Sequence, residues 1–98
     1  MRTTICLALL ALWAAPLVAA DPADQDGPIR VACVGDSITF GSGVEERERN
    51  SYPAVLGRLL GERYEVRNFG VSGATLQKRG DKPYWTLDAF KDVSAFNP

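Results

Sequence analysis

Histidine is absent from all 98 residues. Its absence removes the commonest general base in proteins. It also removes any metal site built from cysteine and histidine together. Cysteine is almost missing too: only Cys6 and Cys33 occur. Cys6 falls in the N-terminal leader, so Cys33 would stand alone after export and no disulfide forms within the chain. Cys33 lies in an apolar run and reads as a small core residue rather than a reactive thiol. Neither sign of charge dominates, and the formal net charge is −1. Losing Arg2 with the leader leaves ten basic side chains against twelve acidic ones, which gives no grounds for a nucleic acid or other polyanion as partner. The apolar run is shorter than the ~20 residues that span a bilayer, so no membrane contact is expected once the leader is gone. There is no internal repeat and no low-complexity segment, and no residue pattern calls for a cofactor. Oligomeric state has no signature here.

Residues 1–20 have the layout of an export signal. Met1 and Arg2 open it, Ile5 to Ala15 is almost wholly apolar, and Pro16 breaks the run. Val18-Ala19-Ala20 then offers small residues before a cut ahead of Asp21. A secreted or periplasmic location is the expectation. Residues 21–28, with three aspartates, two prolines and a glycine, read as a flexible leader. Residues 29–98 are long enough for one small domain at most.

The chain is organised around Val31-Ala32-Cys33-Val34-Gly35-Asp36-Ser37-Ile38-Thr39. Ile29 to Val34 predicts a strand, and its run of small and apolar residues suits one covered on both faces of a parallel sheet. Gly35 allows a sharp turn. Asp36 and Ser37 follow at the strand's carboxyl end, where open α/β sheets place their ligands. A serine there is a candidate nucleophile, and the plain alternative is an ordinary Gly-Asp-Ser turn.

Phe40 to Asn50 predicts a loop whose charge run, Glu45 to Arg49, is a solvated face. Ser51 to Leu60 predicts a helix, with Ser51 as its cap, Pro53 in its first turn and Gly61 ending it in the left-handed conformation. Tyr52, Val55, Leu56, Leu59 and Leu60 form one apolar stripe. Tyr64 to Phe69 predicts the second strand. Tyr64, Val66 and Asn68 point to one side of it, and Glu65, Arg67 and Phe69 to the other. Strand, helix and strand at this spacing make a parallel βαβ unit with a right-handed crossover. Gly70 to Thr75 is therefore a second glycine-bearing loop on the same sheet edge as Ser37, so Ser37 and Gly73 become neighbours. Gln77 to Pro83 is turn-like. Thr86 to Phe96 predicts a second helix ended by Asn97-Pro98.

A serine nucleophile needs a base, a group that orients the base, and donors for the developing oxyanion. The chain offers the Ser37 hydroxyl and the backbone N–H groups of Ser37 and Gly73. Here the residues resemble a known family. Gly35-Asp36-Ser37-Ile38-Thr39 resembles the first block of the SGNH, or GDSL, hydrolases, and Asn68-Phe69-Gly70-Val71-Ser72-Gly73-Ala74-Thr75 resembles their second. The resemblance implies a flavodoxin-like three-layer α/β/α sandwich around a parallel sheet. It implies Ser37 as nucleophile, Gly73 as the oxyanion-hole glycine, and Asp36, beside Gly35, as a structural acid. It also implies a third block with an asparagine and a last block with the aspartate and histidine, and neither occurs in these residues. The expectation is the N-terminal part of a longer secreted serine ester hydrolase, truncated after its first βαβ unit and inactive alone.

The layout between the blocks is similar to secreted carbohydrate O-acetylesterases, including sialate O-acetylesterases, which implies a small-molecule or carbohydrate ester substrate. Lipid esters and thioesters stay open. Tyr84 and Trp85 could stack on a sugar ring, although core packing is the commoner role for adjacent aromatics. Three alternatives stand beside this reading. An inactive remnant keeps the βαβ unit without the base. A serine–lysine pair would use Lys78, Lys82 or Lys91, but no spacing singles one out. A nucleotide-binding loop fails because Gly35, Gly41 and Gly43 do not match Gly-x-Gly-x-x-Gly and no P-loop lysine follows.

Overall fold

The computed structural model describes residues 27–98. The expected export signal and the expected leader up to residue 26 lie outside the described residues. Two strands, β1 (Ile29–Gly35) and β2 (Tyr64–Gly70), pair in parallel. Between them run two one-turn helices, α1 (Ser37–Phe40) and α2 (Arg47–Asn50), and the longer α3 (Tyr52–Leu60). After β2 come a 3₁₀ turn at Tyr84–Thr86 and the helix α4 (Asp88–Phe96). The predicted strands, the predicted helix over 51–60 and the predicted C-terminal helix are all present, within two residues at each end. The loop expected over 40–50 is partly helical: α1 ends in it at Phe40, and α2 occupies its last four residues. Among the described residues no helix is long and apolar enough to cross a membrane.

Side chains alternate across β2 as its sequence predicts. Val66 meets α3 at Gly57, where a Cβ would lie 3.5 Å from the valine. Phe69, on the other face, packs against Phe96 of α4 with ring centroids 5.5 Å apart. Arg67 lies over the same ring at 4.5 Å, and Arg30 of β1 donates to the Phe96 carbonyl at 3.1 Å. One helix on each face of a parallel sheet is the α/β layering the family resemblance implies. Asn97 ends α4 in the left-handed region, with φ 51°.

Five expectations are corrected. β1 is not covered on both faces: Cys33 is buried, but Val34 is 40% exposed. The cause is that both longer helices lean on β2, with Phe96 seated on Phe69 rather than on Val34. The apolar stripe of α3 is not its buried face, since Leu59 is 80% exposed and Tyr52 is also exposed. The helix meets Val66 of the sheet at Gly57, its buried side chain is Pro53, and Leu59 lies about 200° around the axis from Gly57. Ser51 stands at the cap position of α3, but its side chain makes no capping hydrogen bond. It is buried instead, packed beneath Gly41. Gly61 has the expected positive φ, 79°, but its ψ of −172° is extended rather than left-handed helical. Within the charge run, Arg47 departs from a solvated face: its guanidinium sits 4.0 Å over the Phe40 ring and donates to the Phe40 carbonyl.

Candidate active site

The site begins with strand register. Gly35 pairs with Gly70, so both motif loops leave the sheet at the same level. Val71 continues the ladder by donating its N–H to the Gly35 carbonyl at 2.9 Å. Asp36 caps α1, with its Oδ1 accepting the N–H of Ile38 at 2.9 Å. That contact gives Asp36 a structural job. Ser37 is the first residue of α1 and is half-buried. Its own N–H therefore precedes the first intrahelical bond. Among the described residues no hydrogen bond reaches Ser37 Oγ.

Two glycines let α1 settle against the sheet. A Cβ on Gly35 would strike Thr39 Oγ1, and one on Gly70 would strike the backbone of Thr39 and Phe40. Thr39 is buried and shares a hydrogen bond of 3.0 Å with the Tyr52 hydroxyl. Asn68 closes the arrangement from β2. Its amide donates to the Thr39 carbonyl at 2.8 Å and the Phe40 carbonyl at 3.3 Å, and its Oδ1 accepts the Gly70 N–H at 2.9 Å.

Gly73 occupies a tight turn in which Ala74 donates to the Val71 carbonyl at 3.1 Å. Its φ of 81° is the positive value that the third residue of a type II turn requires. A Cβ there would meet only Lys82, 3.8 Å away. The glycine is therefore demanded by the backbone and not by crowding. Gly73 is exposed, and its N–H has no backbone acceptor among the described residues.

No direct hydrogen bond joins Ser37 and Gly73. Ser42 links their loops: its N–H donates to the Ser37 carbonyl at 3.0 Å, and its hydroxyl meets the Ser72 hydroxyl at 2.7 Å. Lys82 Nζ donates to the Ser72 carbonyl at 3.0 Å and holds the same turn from the other side. Lys91 pairs with Asp88 at 3.2 Å. Neither lysine hydrogen-bonds to Ser37, nor does Lys78, so a serine–lysine pair has no contact behind it.

An open cleft of about 530 Å³ lies beside these loops, lined by Gly35 and Asp36 on one side and Ala74, Thr75, Leu76, Gln77 and Tyr84 on the other. Its outer wall is the segment 75–83, closed on itself by Thr75 N–H to Lys82 carbonyl and Tyr84 N–H to Thr75 carbonyl, at 2.9 and 2.8 Å. The two aromatics take different roles. Tyr84 is 1% exposed and donates its hydroxyl to the Phe69 carbonyl at 2.6 Å. Trp85 is 47% exposed. Among the described residues no cluster of three His, Cys, Asp or Glu side chains could hold a metal.

Residues 33–98 match the family described as GDSL-like lipase/acylhydrolase. The chain belongs to that family. Over 77 residues it is 49% identical to the acetylxylan esterase of Xylanibacter ruminicola, a match covering 79% of this chain and 16% of that protein. The chain thus corresponds to about a sixth of the curated relative. No solved structure matches it significantly. The resemblance read from the Gly35–Thr39 and Asn68–Thr75 blocks is that of a GDSL-like acylhydrolase, in agreement with this match. Sequence reasoning placed Thr39 inside the first block and Asn68 inside the second, both without a role, and missed Ser42. Asn68 carried a usable signal: it is polar on the strand face that also carries Val66, and a half-buried polar group there must find partners.

Proposed function

We propose that this chain carries the nucleophile loop and part of the oxyanion hole of a serine ester hydrolase that acts on acetyl or other short acyl esters of carbohydrates. The observation behind it is the pairing of Gly35 with Gly70. That register brings a helix-opening serine and a glycine turn with a free N–H to one sheet edge, tied together through Ser42. The relative named an acetylxylan esterase supports an acetylated polysaccharide as substrate.

In this reading Ser37 Oγ attacks the acyl carbonyl carbon and its proton passes to a base. The carbonyl oxygen becomes an oxyanion held by the N–H groups of Ser37 and Gly73. The C–O bond to the sugar then breaks, and the sugar oxygen leaves with the proton from the base. Water repeats the sequence on the acyl–serine and releases the carboxylic acid. The sequence has no histidine, so the base, its orienting acid and a further oxyanion donor come from polypeptide other than these residues. The 98 residues alone are then nearly inactive, because losing the base of a serine triad costs up to ~10⁶ in turnover. Export directed by residues 1–20 would place the enzyme where polymeric esters occur.

The test is acetate release from acetylated xylo-oligosaccharide by the full-length protein and by its Ser37→Ala variant. The expected loss of kcat is at least ~10³-fold, given what a triad serine contributes. Retention of activity by Ser37→Ala contradicts the proposal.

A further inference from the structure

The cleft beside Ser37 continues into an apolar ledge that the chemistry at Ser37 does not use. Trp85 Nε1 donates to the Leu76 carbonyl at 3.0 Å. The indole stands edge-on to Phe90 with centroids 5.5 Å apart. These two contacts fix the ring. They also occupy the indole's one polar atom, so what the ring presents to solvent is carbon. Leu76 is 67% exposed and Phe90 is 37% exposed, which makes the ledge a contiguous patch and not an isolated apolar residue. Leu76 lines the same cleft as Gly35 and Asp36. Gln77, the next cleft residue, is exposed, and its side-chain amide makes no hydrogen bond among the described residues.

A fixed aromatic face next to a free amide, on a rim leading to a nucleophile, suits one ligand chemistry. The C–H face of a pyranose ring stacks on the indole, and a ring hydroxyl exchanges hydrogen bonds with the amide, which is both donor and acceptor. We propose that Trp85, with Leu76 and Gln77, forms a sugar-binding subsite that holds the polysaccharide backbone while Ser37 addresses the acyl group. This rests on the ester-hydrolase reading above. Tyr84 takes no part, since its ring is buried.

The experiment measures binding and turnover separately in the full-length protein. Binding of unacetylated xylohexaose is read by calorimetry for wild type, Trp85→Ala, Trp85→Phe and Gln77→Ala. Turnover is read as the ratio of kcat/KM on acetylated xylo-oligosaccharide to that on 4-nitrophenyl acetate. Trp85→Ala should weaken xylohexaose binding about tenfold, equivalent to roughly 1.4 kcal/mol. It should lower the turnover ratio by a similar factor, while Trp85→Phe keeps most of both. Gln77→Ala, an exposed residue whose change leaves the fold alone, should weaken binding measurably. Wild-type protein that does not bind xylohexaose overturns the proposal. So does a turnover ratio that is the same in Trp85→Ala and wild type. Failure of the Ser37 reading looks different: Ser37→Ala would stay active, with xylohexaose binding unaffected either way.

Discussion

Single side chains in this chain do their work through burial. Burial pushes the Cys33 thiol above its ordinary range, and a hydrogen bond from Tyr52 opposes this without cancelling it. Cys33 is therefore a poor nucleophile at neutral pH, which agrees with its reading as a core residue. Burial also raises the phenol of Tyr84, with the nearby Asp92 charge adding to the effect. A raised folded-state value means that the native state holds the phenolic proton more tightly than the unfolded chain. The resulting stability is complete below the unfolded phenol value of ~10 and is lost as pH climbs through the raised one. Urea midpoints of the full-length protein should fall across that alkaline window. Tyr84→Phe should flatten the fall, at the cost of about 1 kcal/mol at neutral pH for the lost hydrogen bond to Phe69. An unchanged alkaline slope in Tyr84→Phe would refute this account of the buried phenol.

At the scale of elements, two glycines with opposite surroundings make the sharper test. Gly57 lies in α3 where a Cβ would sit in ordinary contact with Val66. Gly57→Ala should therefore stabilise by about 0.5–1 kcal/mol through helix propensity. Gly70 lies in β2 where a Cβ would strike the backbone of α1. Gly70→Ala should destabilise by about 1–3 kcal/mol and move Ser37 with α1. Thermal melts of the two variants check both signs. Element type was legible in the sequence here, because period and punctuation agree: the stripe over 52–60 is helical and the residues over 64–69 alternate. Which face of α3 is buried was not legible. Hydrophobic periodicity assumes that large residues touch the core, whereas α3 approaches the sheet at Gly57, buries Pro53 and leaves Leu59 outside. The site was legible to the extent that it depends on register. Both loops could be placed on one edge from the βαβ pattern alone. The bridge through Ser42 and the clamp by Asn68 could not, since each depends on how α1 folds back onto β2.

For the molecule as a whole, the described residues bury few large apolar side chains. Cys33, Tyr84 and Phe96 are the buried hydrophobic ones, while Ile38, Leu59 and Leu76 stand 78%, 80% and 67% exposed. Surface ion pairs such as Arg67–Glu65 at 2.6 Å add little. A two-stranded unit with so small a core does not offset the entropy of ordering its backbone. Residues 21–98 expressed by themselves should therefore melt without a cooperative transition and bind a hydrophobic dye. A sharp, reversible transition would contradict that view.

The central claim is that Ser37 is the nucleophile. Its most direct test is fluorophosphonate labelling of the full-length protein, with the modified peptide mapped by mass spectrometry and Ser37→Ala as the control. The account predicts one adduct on Ser37 that is lost in the variant. An active enzyme whose adduct maps to another residue would contradict it.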